Sequence, residues 1–283
     1  MDIIDFRFRP NTDATIKGFT NSTMFKGMFA KMDLSHLIPQ TVAEVVKDLD
    51  EYNVVKAVIT GRDCESTYDA GANNQGVIDF VQAFPDKFLG FMGVDPHKGM
   101  NGVRELTRFI SEEKMHGAAI DPYLAKIPVN EARYYPIYAK CCELEIPIVI
   151  STGPGTLVPG AVMEHASPRL IDYVARDFPE LTVVISHGGY PWVNEAIMVT
   201  ERNNNVYMEL SEYERHPGAA AYIRAATDLI SDKILYASAH PGADFRDALK
   251  MYDGFGFSQE IKTRIMHDNA IKVLGLNNGH GPA

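Results

Sequence analysis

Eight short apolar segments recur along the 283-residue chain, and most are followed by a stretch with helical spacing of its apolar residues. The segments are rich in Val, Ile, Phe and Tyr and lack internal polar alternation. This pattern is typical of strands in a parallel sheet that is covered on both faces. The eight segments are residues 3–8, 54–60, 88–94, 117–120, 147–151, 182–186, 206–210 and 234–237.

Eight strands that alternate with helices predict an α/β protein, a single-domain (β/α)8 TIM barrel over residues 1–276. A doubly wound open sheet is the alternative, but no G-x-G-x-x-G follows the first segment. Residues 277–283 contain Gly, Asn and Pro, and we expect them to form a flexible tail.

A long connection, residues 11–40, separates the first strand from its helix. Its apolar residues at helical spacing predict a helical insertion, and they are Met24, Phe25, Met28, Phe29 and Met32. Such a helix could pack on the rim of its own barrel, form a lid over the mouth, or contact another subunit. Because symmetric dimers are the commonest assemblies, we expect a homodimer formed through this insertion.

The acidic composition narrows the range of partners. Lys and Arg total 27 and Asp and Glu total 37, for a net charge of −10. Such a balance argues against binding to nucleic acid or to an anionic membrane surface. The first residues lack a signal-peptide pattern, and no apolar run approaches the roughly 20 residues of a membrane span. The three cysteines suggest no disulfide, so we expect a reduced, cytoplasmic protein.

In a barrel of this kind the active site lies at the carboxyl ends of the strands. The residues at those ends are Arg7, Arg9, Arg62, Asp95, Asp121, Ser151, His187, Glu209, Ser211, Ala239 and His240. Alternation along the first strand predicts that Asp5, Arg7 and Arg9 point into the barrel, whereas Phe6 and Phe8 face the helices.

Six stretches together resemble the amidohydrolase-related group of the amidohydrolase superfamily. They are IIDFRFRP, RYYPIYAKCCELEIPIVISTG, FPELTVVISHGGYPWV, NVYMELS, KILYASAHP and IMHDNAIKVLGL, in this order. The group contains aminocarboxymuconate-semialdehyde decarboxylase and related decarboxylases, hydratases and hydrolases. The resemblance covers nearly the whole chain and implies a TIM-barrel enzyme.

The chain departs from the pattern of that group at the metal ligands. Arg7 and Arg9 stand where the pattern has a His-x-His pair, Ser151 replaces a further His, and Ala239 replaces an Asp. Only His187, after the sixth strand, is retained. Arginine offers no lone pair to a metal, and one histidine cannot hold zinc. We therefore expect no metal site of the family type and no cofactor.

A rearranged ligand set is the alternative to a metal-free site. It would consist of Asp121, His165, His187 and His240, if these side chains converge.

Two roles are open for the arginines at the predicted mouth. Arg7 and Arg9 could pair with internal acids such as Asp5, Asp121 or Glu209, because a buried guanidinium needs an anionic partner. They could instead hold the carboxylate of a small-molecule substrate, with Arg62 as a third cation. A small carboxylic acid is accordingly the predicted ligand.

His187 is the first candidate for acid–base catalysis, because Gly188 and Gly189 after it permit a sharp turn and histidine titrates near neutral pH. Asp121 is the second, as a general base or as the partner of an arginine. The remaining candidates are expected to bind substrate or to form the pocket wall, and they are Ser151, Tyr190, Trp192 and His240.

Three functions follow from these residues and the resemblance. The first is a metal-independent hydrolase, or a carbon–carbon lyase of the decarboxylase type, acting on a small carboxylated substrate. The second is a metal-dependent hydrolase with rearranged ligands. The third is a barrel that binds carboxylates without catalysis.

Overall fold

Eight parallel strands in sequential order form a nearly closed barrel, which confirms the predicted fold. The computed structural model describes residues 1–22, 24, 25, 27, 30, 35, 37–68, 72–153 and 157–276. The strands are β1 (Ile3–Asp5), β2 (Val54–Thr60), β3 (Phe88–Gly93), β4 (Gly117–Ile120), β5 (Ile148–Ile150), β6 (Val183–Ile185), β7 (Val206–Glu209) and β8 (Ile234–Leu235). Most are shorter than predicted, because the last residues of the apolar segments already belong to the loops of the mouth.

Twelve α-helices lie in the described part of the chain, and most of them surround the barrel. They are α1 (Asp13–Thr20), α2 (Val42–Glu51), α3 (Asn74–Ala83), α4 (Met100–Ser111), α5 (Pro122–Ala125), α6 (Tyr135–Glu143), α7 (Pro168–Asp177), α8 (Val193–Arg202), α9 (Ala220–Asp228), α10 (Phe245–Gly254), α11 (Gln259–Thr263) and α12 (Asn269–Val273). Single 3₁₀ turns occupy Pro96–Lys98, Ala132–Tyr134, Met163–Ala166, Ser186–Gly189 and Tyr213–Arg215, and a π-helical turn occupies Arg264–Asp268.

The apolar core has two layers, one inside the barrel and one between the strands and helices. Every strand contributes a residue to the inner layer, whose strand members are Ile4, Val58, Leu89, Phe91, Ala119, Val149, Val184, Tyr207 and Leu235. The residues next to these along each strand belong to the outer layer. This division is the period-two alternation expected of a barrel strand.

The predicted orientation of Phe6 is wrong. Phe6 belongs to the inner layer and packs edge-on against Phe91, with ring centroids 5.7 Å apart. Asp5, between the inner residues Ile4 and Phe6, therefore does not share their face. The alternation holds from Ile4 to Phe6, so the error lay in assigning the inner face to Asp5, and the bend at residues 6 and 7 breaks the alternation only before Phe8. Phe8 packs in the outer layer as predicted.

The barrel closes between the segments that follow β1 and β8. The Phe6 amide donates to the Tyr236 carbonyl at 2.8 Å, and the Arg9 amide donates to the His240 carbonyl at 2.9 Å. Asp5 Oδ1 accepts from the amide of Ser238 at 3.0 Å and from that of Arg7 at 3.1 Å. The buried Asp5 carboxylate therefore joins the two ends of the sheet.

Below this closure the π-helical turn fills the seam, since the Tyr236 amide donates to the Ile265 carbonyl at 2.9 Å. The Asn269 side chain donates to the carbonyl groups of Ile234 and Ser231 at 2.7 and 2.9 Å.

The insertion at residues 11–40 contacts the loops of its own barrel. The helix that the structure describes in this segment is α1, which precedes the helix predicted from Met24 to Met32. The buried residues Met24 and Phe25 pack with Cys64, Tyr123 and Leu124.

The other residues of the predicted insertion helix, Met28, Phe29 and Met32, lie outside the described residues, as does the tail 277–283. The role of the insertion as a lid or subunit contact stays a prediction. Within the described ranges, no helix combines the length and apolar character that crossing a bilayer would require.

The buried position of Asp5 predicts a pH-dependent stability. Burial raises the pKa of Asp5 from 3.8 to about 7. The folded state therefore binds more protons than the unfolded state between about pH 4 and 7, so the free energy of unfolding should fall as the pH rises through this range. Asp5→Asn, which keeps an acceptor oxygen, should reduce this fall, measured by urea unfolding at pH 5 and pH 8.

Asp2→Asn is the matched control, since Asp2 directly precedes β1 and its side chain is exposed. An Asp5→Asn protein with the same loss of stability between pH 5 and pH 8 as the unmodified chain would contradict this account.

Candidate active site

The carboxyl ends of the strands bring six of the predicted site residues into one group, which we call the mouth cluster. Its members are Arg7, Arg9, Arg62, Asp121, Ser151 and His187. The charges of all three arginines act on His187, and those of Arg7 and Arg62 act on Asp121. The mouth cluster is therefore a compact polar site at the end of the barrel where catalytic residues of this fold lie.

Arg62 and Asp121 form a two-point ion pair. Arg62 Nε donates to Asp121 Oδ2 at 3.1 Å, and Nη2 donates to Oδ1 at 3.3 Å. Tyr123 and Ser151 also hydrogen-bond this carboxylate. Burial disfavours ionised Asp121, but the Arg62 cation and its hydrogen bonds prevail and hold the pKa below its ordinary value. Asp121 is thus the fixed anionic partner of an arginine.

Arg7 is compensated through Ser186 and Glu209. Its Nη1 donates to Ser186 Oγ at 2.9 Å and lies 3.9 Å from Glu209 Oε1, and Ser186 Oγ donates to that same oxygen. Burial raises the pKa of Glu209 even though Arg7 and Ser186 favour the ionised form. The internal pairing anticipated for Arg7 and Arg9 therefore holds for Arg7 with Glu209, whereas Asp121, another of the anticipated acids, pairs with Arg62.

Arg9 differs from the other two arginines, because no carboxylate of the described residues lies within ion-pair distance of it. Its Nη2 donates to Thr60, to the carbonyl oxygen at 2.8 Å and to Oγ1 at 3.2 Å. Its Nε is buried and has no hydrogen-bond partner. Burial, with the positive charges of Arg7 and Arg62, lowers the pKa of Arg9. An anion beside Arg9 would relieve this cost.

His187 is buried as a neutral base. It occupies the left-handed region at φ 57°, in the 3₁₀ turn Ser186–Gly189. Its Nδ1 lies 2.7 Å from Ser211 Oγ and 3.3 Å from the Ser211 carbonyl oxygen. The Ser211 carbonyl oxygen can only accept a hydrogen bond, and the Ser211 hydroxyl also hydrogen-bonds Glu209. We therefore assign the ring proton of His187 to Nδ1, which leaves the lone pair on Nε2. Burial and the Arg7 cation lower the pKa of His187 well below 6.5.

Tyr190, Trp192 and His240 lie apart from the charged groups. Tyr190 packs against Tyr213, whose ring also contacts His187, with centroid distances of 5.0 and 5.3 Å. Trp192 precedes α8, half-buried, and no ring contact in the described part of the chain includes it.

His240 belongs to the seam of the barrel. Its ring stacks on Phe8 at 4.7 Å, and its Nε2 lies 3.3 Å from Asn11 Oδ1. We therefore place His240 with the barrel closure and Tyr190 with the wall of the site.

Several residues of the site were not among the predicted ones. Ser186 and Thr60 bind the arginines, and Ser211 orients His187. Glu209 was anticipated as an arginine partner, whereas Ser211, which follows the same predicted strand, carried only a positional signal and no predicted role. Thr60 contributes through its carbonyl oxygen as well as its hydroxyl, and side-chain chemistry cannot reveal a backbone acceptor.

The donor set of the mouth does not fit a divalent metal. No three His, Cys, Asp or Glu side chains of the described ranges come together as metal ligands, so the rearranged set with His165 and His240 does not converge. Arg62 occupies both oxygens of Asp121, and Ser211 binds one nitrogen of His187. Guanidinium groups offer no lone pair to a cation and would repel it.

Comparison with known proteins identifies the family to which this chain belongs. A curated relative, 2-keto-4-carboxy-3-hexenedioate hydratase of a Sphingobium species, is 26% identical over 246 residues, which are 72% of this chain and 71% of the relative. An uncharacterized TIM-barrel protein from Bordetella bronchiseptica superposes with a TM-score of 0.81 at 25% identity, covering 97% of this chain and 99% of the other.

A 2,6-dihydroxybenzoate decarboxylase from Rhizobium shares the fold, with a TM-score of 0.70 and 14% identity over 98% of this chain and 99% of that one. The family model described as amidohydrolase matches residues 28–276, which is most of the sequence. The chain therefore belongs to the amidohydrolase family.

Proposed function

We propose that this amidohydrolase-family enzyme adds water to a small carboxylic acid, by hydrolysis or hydration, with Arg9 holding the carboxylate and His187 acting as the base. The observation that carries the proposal is the arginine without an acid partner beside a neutral, buried histidine. The other two arginines are already compensated by acids of the chain. A substrate carboxylate would complete the charge balance of the mouth.

Arg9 keeps donors for a substrate carboxylate, because Thr60 binds only its Nη2 and leaves Nε and Nη1 available. Arginine binds carboxylates with two parallel N–H donors, which fixes the orientation of the ligand as well as its position.

His187 can supply the base without further activation. Its Nε2 would take a proton from water as the hydroxide adds to an electrophilic carbon of the substrate, and the displaced electron pair would move to oxygen. Arg7, whose charge acts directly on His187, would stabilise that oxyanion. The protonated His187 would then return its proton to the leaving oxygen or to carbon.

The charge distribution favours water addition over decarboxylation. Loss of carbon dioxide moves negative charge away from the carboxylate, so a cation that binds this carboxylate stabilises the ground state more than the transition state. The Sphingobium relative is a hydratase, which is consistent with this choice. Decarboxylation is the second candidate, because the Rhizobium enzyme of the same fold is a decarboxylase.

We also propose that the reaction needs no divalent metal, on the grounds of the donor set described above. After dialysis against a chelator, the protein should convert members of a panel of lactones and unsaturated keto acids to hydrolysed or hydrated products, without carbon dioxide. Added Zn²⁺ or Mn²⁺ should not raise the rate. Product analysis by mass spectrometry and a carbon dioxide assay provide the measurement.

Release of carbon dioxide from aromatic acids would contradict the proposed water addition and would identify the enzyme as a decarboxylase. Activity that is lost with the chelator and restored by metal would contradict metal independence. Tight binding of the panel acids without any turnover would show a carboxylate-binding barrel instead of an enzyme.

Arg9→Ala should weaken the binding of carboxylate ligands about 10- to 100-fold, the loss expected for charge-assisted hydrogen bonds of about 1.5–3 kcal/mol. Calorimetric titration provides the measurement. Arg224→Ala is the matched control, because Arg224 is an arginine with 86% of its side chain exposed, is paired with Asp228 and does not line this site. Equal affinity of Arg9→Ala and the unmodified protein would reject Arg9 as the anchor.

The lowered pKa of His187 predicts a displaced pH profile. A base must be deprotonated, so kcat/KM should fall only well below pH 6.5. Arg7→Gln removes a positive charge that disfavours protonation, so it should raise the pKa of His187 and move the acidic limb to higher pH. An acidic limb that stays in place in Arg7→Gln would show that another group controls the profile.

A further inference from the structure

A cleft of about 590 Å³ lies beside the mouth cluster, between helices α1 and α3. Arg9 and Arg62 line it, whereas His187 and Asp121 do not. The cleft therefore extends sideways from the two arginines, outside the part of the site that carries the proposed chemistry. Its volume lies within the roughly 300–1,000 Å³ typical of small-molecule sites, and a carboxylate alone needs far less.

The walls of the cleft are largely apolar. They include Met24, Phe25 and Phe19 on the side of α1, and Val77 and Phe80 on α3. A ligand group in this space would be surrounded by aromatic and aliphatic carbon, which favours an apolar substituent and makes a second charge costly to bury.

The cationic end of the cleft is shaped by ring contacts. The guanidinium of Arg62 lies over the Phe25 ring at 4.8 Å, and that of Arg9 lies over the Phe19 ring at 5.6 Å. A guanidinium whose face is covered by a ring can bind a carboxylate only through its edge. The rings that hold the cations are thus the same rings that form the apolar wall.

Two helical glycines keep the cleft wide. Gly18 of α1 and Gly76 of α3 both line it, and a Cβ built on either would meet no described atom within 4 Å. Neither glycine has a positive φ. Since glycine inside a helix costs about 1 kcal/mol relative to alanine, neither packing nor backbone geometry explains these residues. Their effect is the space that a side chain would fill.

We propose that this cleft binds the apolar part of the substrate whose carboxylate Arg9 holds, so that the ligands are carboxylic acids with one charged end and an arylalkyl or short aliphatic tail. This inference rests on the proposed role of Arg9 and adds the class of acid that the site accepts. A second carboxylate in this space would lie against the phenylalanine rings, so we expect acids with several carboxylates to bind more weakly even though Lys17 also lines the cleft.

The test compares 3-phenylpropanoate, which has an apolar tail, with acetate, which has none. Gly76→Leu should weaken binding of 3-phenylpropanoate by about tenfold or more because leucine occupies the cleft, and should leave acetate binding within about twofold. Gly76→Ala is the matched control with a smaller expected loss. Gly18→Leu fills the cleft from the opposite wall and should reproduce the effect of Gly76→Leu.

Calorimetry or NMR titration gives the dissociation constants, and thermal unfolding checks that each variant is folded. Leucine and alanine both favour helix over glycine, so the variants should be at least as stable as the unmodified protein. The proposal is overturned if the unmodified protein fails to bind 3-phenylpropanoate, if both leucine variants bind it unchanged, or if citrate binds more tightly.

Arg9→Ala separates this inference from the proposed function. If Arg9→Ala loses both acids while the leucine variants keep 3-phenylpropanoate, the carboxylate anchor stands and the assignment of the cleft is wrong. If Arg9→Ala keeps both acids, the anchor itself is wrong, and the cleft proposal falls with it.

Discussion

The organisation of this barrel mouth depends on one constraint, which is that the positive charges of three guanidinium groups in the protein interior need anionic partners. Arg62 is neutralised by Asp121 and Arg7 by Glu209 through Ser186, and each of these acids ends or follows a strand two positions away around the barrel. Burying charged groups without partners would cost several kcal/mol per ion. Arg9 is the remaining cation, and we propose that the carboxylate of a ligand compensates it.

The same charges set the chemistry that the site can perform. With burial, they lower the pKa of His187, so the imidazole is neutral in a cationic environment, and we propose that it acts as the base while these charges stabilise a developing oxyanion. In the function that we propose, separate side chains perform the roles of base and oxyanion partner. The net charge of −10 describes the whole molecule, while the mouth offers a local positive charge to an acid.

Much of this architecture was predictable because it depends on local periodicity. Doubly buried strands have continuous apolar segments, and their eightfold alternation with helices left few folds to consider. The prediction for Phe6 was wrong because periodicity shows which residues share a face but not which face is inside the barrel, and Phe6 shares the inner face with Ile4. Site residues such as Arg7 and His187 were found from their place at strand ends, but Thr60 and Ser186 act through partners distant in sequence.

The sequence by itself determined the barrel, the family and the replacement of metal-binding side chains by arginines, since these follow from residue type and order. Only the tertiary structure decided which arginine is compensated, because ion pairs such as Arg62 with Asp121 join residues 59 positions apart. The cleft between α1 and α3 was equally invisible in the sequence. Its width comes from two glycines on separate helices, and empty space is a property of packed elements rather than of any residue.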